Sequence, residues 1–135
     1  MTALNPYQKY KQQSIMTASP GELTLMLYNG CIKFIGTARL HIENGDIQRA
    51  HDAIIRAQMI IEEFMSTLNF SYEISERIYI VYEYLLHRLI EANIRKDISI
   101  LDEVLTHVTG LRDTWEQVIK KTGDPRLRDG GAVNG

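Results

Sequence analysis

The run DIQRAHDAIIRAQMIIEEFMSTLNFSYEISERIYIVYEYLLHRLIEANIRKDISILDEVLTHVT, from Asp46 to Thr109, contains neither glycine nor proline. Strands of about five or six residues would need repeated reversals across it, and tight hairpin turns draw on Gly, Asn-Gly and Pro. Helices need few turns, so the run reads as helical. Its apolar residues recur at three- and four-residue steps, the period of one helix face. A helix from about Asp46, its cap, to Leu68 carries the stripe Ile47, Ala50, Ala53, Ala57, Ile61, Phe64 and Leu68. After a short turn marked by Asn69 and Ser71, a further helix from about Tyr72 to Ile94 faces inward with Ile74, Ile78, Val81, Leu85, Leu89 and Ala92. Arg95-Lys96-Asp97 interrupts the pattern. Ser99 to Asp102 then reads as the capped start of a last helix, with Leu101, Val104, Leu105, Val108, Leu111, Trp115 and Val118 inward.

Upstream, Ser19-Pro20-Gly21-Glu22 opens the first helix. Ser19 accepts from the Glu22 amide, the Glu22 carboxylate reaches back to the Ser19 amide, and Pro20 has no amide to leave unpaired. Leu23, Met26, Leu27, Phe34, Ala38 and Ile42 follow as its stripe, and Gly45 ends it with a left-handed cap. Gly30 and Gly36 each cost about 1 kcal/mol against alanine, which points to close helix contact there. Gly123 and Pro125 stop the fourth helix.

Four helices of some 22 residues, each about 33 Å long, joined by short turns, predict an all-α fold: an antiparallel up-down four-helix bundle. The expected organisation is an N-terminal capping segment over 1–18, packed on a bundle over 19–121, and a flexible tail over 122–135. Tyr7, Tyr10, Ile15 and Met16 give the N-terminal segment too little apolar surface for a core and too much for a solvent tail.

Composition narrows the function. Apolar residues make up 44% and charged ones 24%, with a net charge of −2, so the chain folds and offers no broad attraction for phosphate backbones. Nucleic acid is not an expected partner. No apolar run approaches the ~20 residues that span a bilayer, and Met1 to Tyr10 lacks the basic-then-apolar build of a secretion signal. A cytoplasmic protein without membrane insertion is expected. Cys31, the single cysteine, reads as a buried, inert thiol.

Catalytic patterns do not emerge. A carboxylate di-metal bundle needs Glu-x-x-His, but Ala38, Gln48, Tyr84 and Val104 precede His41, His51, His87 and His107 by three residues. Glu83, His87 and Glu91 align at four-residue steps and read as a solvated ladder beside Arg88 and Arg95. A phosphotransfer histidine would carry lysine three residues on, where Asn44, Ile54, Ile90 and Gly110 stand. Neither an enzyme nor a cofactor or metal site is expected.

Surplus apolar surface remains. A bundle helix needs roughly three apolar positions in seven. The second helix adds Ile54, Ile55, Met59, Ile60 and Met65 to its stripe, and the third adds Tyr79, Ile80, Tyr82, Leu86 and Ile90. Two readings stay open: a generous core with tyrosine hydroxyls in water, or a groove for an amphipathic partner helix.

Asn5-Pro6-Tyr7-x-x-Tyr10, Thr17-Ala18-Ser19-Pro20 leading to Leu23, and Met26-Leu27-Tyr28-Asn29-Gly30 resemble the opening of the flagellar export chaperone family for flagellin. Tyr82-Glu83-Tyr84-Leu85-Leu86-His87-Arg88-Leu89-Ile90-Glu91-Ala92-Asn93 is similar to that family's third-helix signature. Asp97, Asp102-Glu103-Val104 and Trp115 fall at family positions, and aspartate is common in the family where Asn29 and Glu83 stand. The resemblance implies a cytosolic bundle that binds the disordered C-terminal region of flagellin, blocks premature polymerisation and keeps it export-competent. It also implies an N-terminal segment that covers part of the groove, with Tyr7 and Tyr10 as plugs and Ile15 at the hinge. Contacts with the export apparatus, and a monomer or homodimer, fit the same picture. The candidate partner-binding residues are Ile55, Met59, Glu62, Tyr79, Tyr82 and Leu86. Trp115 reads as a helix-packing residue. The rival is a self-associating helical scaffold without flagellin cargo, whose extra apolar face is a homodimer interface.

Overall fold

Three short reversals shape the chain. In the computed structural model, which describes residues 18–122, they separate α1 (Pro20–Glu43), α2 (Ile47–Thr67), α3 (Ile74–Arg95) and α4 (Ile98–Thr122). No strand forms among the described residues. Tyr7, Tyr10 and Ile15, with most of the proposed N-terminal segment and tail, lie outside them.

Each helix end follows from local chemistry. Ser19 Oγ accepts from the Glu22 amide at 3.2 Å. The return contact differs from expectation, because the Ser19 hydroxyl, not its amide, donates to Glu22 Oε1 at 3.0 Å. Gly45 turns left-handed at φ 76°, and the Asp46 carboxylate caps α2 by accepting from the Arg49 amide. Past α2, Asn69 Oδ1 accepts from the amide and hydroxyl of Ser71 at 3.0 and 2.6 Å, and the buried Ser75 hydroxyl donates to the Asn69 carbonyl at 2.6 Å. That turn occupies residues expected to be helical, so α3 starts two positions later than the pattern suggested.

The α3–α4 corner corrects a second expectation. Lys96 takes the left-handed conformation at φ 52°, its amide bonding the Ala92 carbonyl and its Nζ the Asn93 carbonyl at 2.5 Å. One residue remains before α4, and it is Asp97 that caps. Its Oδ1 accepts from the Ser99 amide at 2.8 Å and the Ser99 hydroxyl at 2.6 Å. Ser99, the expected cap, is capped instead.

The helices belong to two compact units. Leu27–Arg112 forms the larger, a four-helix bundle whose neighbours are antiparallel. Gly30 on α1 lies beside Ile60 on α2, and Arg56 sits 5.7 Å from the Phe34 ring, so residue numbers rise on one helix as they fall on the other. Between α2 and α3, Asn93 Nδ2 reaches His51 Nδ1 at 2.9 Å and Phe64 stacks on Tyr82 at 5.4 Å. Arg88 Nε meets Glu103 at 2.7 Å between α3 and α4, and Arg39 Nε meets Asp102 at 2.8 Å between α4 and α1. Asn29 on α1 accepts at its Oδ1 from Arg112 on α4 at 2.8 Å. In the smaller unit, Trp115 Nε1 donates to the Gly21 carbonyl at 2.9 Å, the packing role expected of it.

The core is an aromatic node within aliphatic layers. Tyr28 packs on Phe64 with centroids 4.6 Å apart, and the Tyr28 and Tyr82 hydroxyls meet at 2.7 Å. Ile35, Ile54, Ile61, Leu85, Leu89, Leu101, Val104 and Val108 are fully buried around it. Cys31 is buried too, and burial pushes its thiol pKa up to about 12, which suppresses the reactive thiolate. On α1 the buried stripe is Tyr28, Cys31, Ile35 and Ala38, one position round from the expected one. Leu23, Met26, Leu27, Phe34 and Ile42 are only half-buried. Gly36 also departs from expectation. It is exposed, a Cβ there would meet nothing, and no close helix contact depends on it.

The node predicts a graded response. Tyr82→Phe removes the partner of the buried Tyr28 hydroxyl and should cost about 1–3 kcal/mol, whereas Phe64→Ala removes the ring between both tyrosines and should cost about 3–5 kcal/mol. Urea unfolding measures both, and near-neutral values would remove the node from its central role.

Candidate functional site

The apolar surplus of α2 sorts by position around the helix. Ala50, Ala53, Ile54, Ala57, Ile61 and Phe64 are buried. Ile54, expected among the surplus, belongs to the core. Ile55, Met59 and Glu62 recur at four- and three-residue steps on a flank beside that stripe. Met59 is 61% exposed, Glu62 is exposed and Ile55 half-buried.

The same sorting applies to α3. Ser75, Tyr82, Leu85, Leu89 and Ala92 face the core. Ile74 and Val81, expected inside, are exposed. Tyr79 and Leu86, seven residues apart, share a flank and are half-buried. Phe70, from the preceding turn, meets the Tyr79 ring edge-on at 5.6 Å.

One hydrogen bond shows that these two flanks border a single seam. His51 lies one turn before Ile55 on α2, and Asn93 lies one heptad after Leu86 on α3. The two are bonded across the helix pair, and Lys96 Nζ donates to Asn93 Oδ1 at 2.8 Å. The bond therefore places Ile55, Met59 and Glu62 alongside Tyr79 and Leu86. Tyr82 is not among them. It is buried, stacked on Phe64 and paired with Tyr28, so it is a core residue and not part of the exposed flank where the pattern had put it.

The sequence pattern missed two neighbours of the seam. Phe70 is 54% exposed, a single aromatic within a polar turn that follows no helical period. Ile94, at 79% exposure, lies one turn past Ile90 on the outward side of α3. Its signal was available: an isoleucine opposite the buried Leu85 and Leu89.

The opposite side of α3 is polar. Arg88 bonds Glu103 and also pairs with Glu91, while the Tyr84 hydroxyl donates to Glu103 Oε2 at 2.6 Å. The Tyr84 hydroxyl, then the Arg88 guanidinium, hold the Glu103 carboxyl below its ordinary 4.5, and the same hydrogen bond raises Tyr84 above its own. Glu83 and His87 of the expected solvated ladder are exposed, while Glu91 is drawn to Arg88. Among the described residues, no three His, Cys, Asp or Glu gather where a metal ion could be held. No described helix is long and apolar enough to cross a membrane.

Fold and flank together define the class: an antiparallel helical bundle with apolar side chains exposed along its middle helices. The chain matches the family described as flagellar protein FliS over residues 3–122, and it belongs to that family. It is 47% identical to the flagellar secretion chaperone FliS of Bacillus subtilis, over 97% of this chain and 98% of that one. It is 29% identical to the flagellar secretion chaperone FliS of Salmonella typhimurium, over 82% and 84% of the two chains. A crystal structure of a bacterial flagellar chaperone superposes with a TM-score of 0.71 at 16% identity, covering 86% of this chain and 99% of that one; at that identity it supports the fold alone.

Because Glu103 binds its proton less readily folded than unfolded, its contribution to stability is present above pH 4.5 and is lost as pH falls through the depressed folded value. Glu103→Gln should flatten the acid limb of stability against pH, followed by thermal unfolding between neutral pH and pH about 3. An unchanged limb would place the acid response elsewhere.

Proposed function

We propose that this chain is a cytoplasmic export chaperone that binds the disordered C-terminal region of flagellin, prevents its premature polymerisation and keeps it export-competent, without catalysis. The observation that carries this reading is its likeness to flagellar secretion chaperones along almost its whole length. The α2–α3 seam supplies a physical means. Amphipathic stretches that pack between subunits in a filament would associate early if left bare, and an apolar seam gives them another surface. Binding needs no ATP, because burial itself supplies the free energy.

Magnitudes set the extent of the contact. Each cargo residue fixed on binding costs about 1–2 kcal/mol, which at about 25 cal/mol per Å² requires roughly 40–80 Å² of apolar burial. A few side chains do not suffice for a whole helix. From Tyr79 to Asn93 the seam runs about 21 Å at 1.5 Å per residue, and the outward isoleucines Ile80, Ile90 and Ile94 extend the available surface. Ile55, Met59, Glu62, Tyr79 and Leu86 are the proposed contacts. In the same reading, residues 1–18 cover part of the seam through Tyr7 and Tyr10, with Ile15 at the hinge, and residues 122–135 form a tail. Contact with the export apparatus would follow cargo loading.

Titration with a flagellin C-terminal fragment should give a one-to-one end point and a negative heat-capacity change. Met59→Asp and Leu86→Asp should each weaken it by about tenfold or more. Light scattering with and without the fragment separates this reading from a self-associating scaffold: a tight dimer that ignores the fragment would overturn it. Deleting residues 1–16 should strengthen binding or leave it unchanged, and a large loss without unfolding would make the segment part of the binding site instead.

A further inference from the structure

The α2–α3 seam is built in rungs. Two cross-links set its register: His51 with Asn93 and Phe64 with Tyr82. Between them the antiparallel count brings Ile55 level with Ile90, Met59 with Leu86, and Glu62 with Glu83, each to within a residue. On α2 the three follow at four- and three-residue steps. On α3, Glu83, Leu86 and Ile90 follow at three- and four-residue steps, so each set shares one flank of its helix. Ile55 and Leu86 are half-buried, and the other four are exposed. The seam therefore presents two apolar rungs and then a rung of two carboxylates.

That last rung is unanswered. Among the described residues, neither Glu62 nor Glu83 enters an ion pair. The arginines of the two helices are engaged or turned elsewhere, and no lysine lies on either helix. Arg49 pairs with Asp46, Arg56 sits over the Phe34 ring on the α1 side, and Arg88 holds Glu91 and Glu103. Arg77 and Arg95 fall on the row of Tyr84 and Arg88, the side toward α4. Like charges facing each other disfavour the free chain, and both carboxylates are open to solvent, so a cation from outside can reach them. Two surface carboxylates by themselves would describe no partner. Their continuity with the apolar flank, one turn on from Met59 and Leu86, describes one.

We propose that the seam takes an amphipathic cargo helix with a fixed order of chemistry: apolar side chains over the Ile55–Ile90 and Met59–Leu86 rungs, and a lysine or arginine one turn further on, between Glu62 and Glu83. The proposal rests on the chaperone reading above and adds the charge and register of the bound segment. A long basic side chain suits the position, because its aliphatic stem packs on Met59 and Leu86 while its charged head stays with the carboxylates in water. At an exposed rim such a contact governs encounter and register more than the depth of binding. A segment with an acidic residue at that turn meets two like charges and is rejected. The apolar rungs alone accept a helix in either direction, and the carboxylate rung selects one.

The test measures binding of a flagellin C-terminal fragment to the wild-type chain and to the double variant Glu62→Gln, Glu83→Gln, across about 0.05–0.5 M salt. Wild-type affinity should fall as salt rises. The double variant should bind about tenfold more weakly at low salt, mainly through slower association, and should lose most of the salt dependence. Its thermal unfolding should occur at the same or a higher temperature, since a repulsion has been removed. Glu63→Gln, which removes a carboxylate one heptad after Arg56 on the α1 side of α2, should bind like the wild type. Neutralising each lysine and arginine of the fragment in turn should reveal one whose loss weakens the wild type and no longer matters against the double variant. Equal affinity of wild type and double variant overturns the proposal alone, and so does an equal loss in Glu63→Gln, which would reduce the effect to net charge. A lowered unfolding temperature overturns it as well, by showing that the carboxylates already hold partners in the free chain. A wild-type chain that takes up no fragment overturns the chaperone reading together with the proposal.

Discussion

Interior volume is the constraint on which the rest depends. Four helices share one core, and α2 fills much of its share with alanine: Ala50, Ala53 and Ala57 are all buried. Small side chains bring the neighbouring helices close, as where Ile60 reaches the Gly30 position. Close helices leave no room for more bulk. Ile54, Ile61 and Phe64 supply the bulk that α2 places inside, and Met59 stands on the outer flank. Apolar surface thus remains on the middle helices beyond what the core takes in.

The aromatic node sets what that tight core can contain. Two tyrosines and a phenylalanine occupy the space between α1, α2 and α3, and the hydroxyls of Tyr28 and Tyr82 meet there at 2.7 Å. Burial, with the Tyr82 hydroxyl adding to it, raises the Tyr28 pKa above its ordinary value, so the Tyr28 hydroxyl remains neutral at any physiological pH. A diagonal bond between α1 and α3 fixes their relative register, which aliphatic packing alone does less sharply. The ion pairs at the edges, Arg39 with Asp102 and Arg88 with Glu103, are half-exposed and contribute to orientation more than to stability.

Helix number, order and most boundaries were legible in the sequence because they rest on local chemistry: Ser19, Gly45 and Asp46 act through their own neighbouring backbone. The phase of α1 was not. Leu23, Met26, Leu27, Phe34 and Ile42 form one apolar row and Tyr28, Cys31 and Ile35 another, with Ala38, expected inside and buried, between them; hydrophobicity alone ranks the first row higher. What favours the second is the hydroxyl partner offered by Tyr82, fifty-four residues away. Tyr82 itself was misplaced for the mirror reason, since a lone tyrosine suits a wet surface and a pair of them does not need one. The cap of α4 was missed because Lys96 adopts a left-handed conformation that its side chain gives no reason to expect.

The seam lies between these cases. Ile55, Met59, Tyr79 and Leu86 stand out when apolar residues are counted against the needs of a core, which finds a surplus but not its direction. Direction came from a polar pair, His51 with Asn93, that ties the two flanks together. The sequence does not pair them, because a histidine and an asparagine forty-two positions apart follow no shared period. The general point is physical. Apolar periodicity tells which faces a helix has, while long-range hydrogen bonds between polar side chains decide which of those faces meet. In a bundle with more apolar faces than interior, the face left over is set by the polar contacts, and a substitution at His51 or Asn93 would change the seam's alignment without touching a single apolar residue in it.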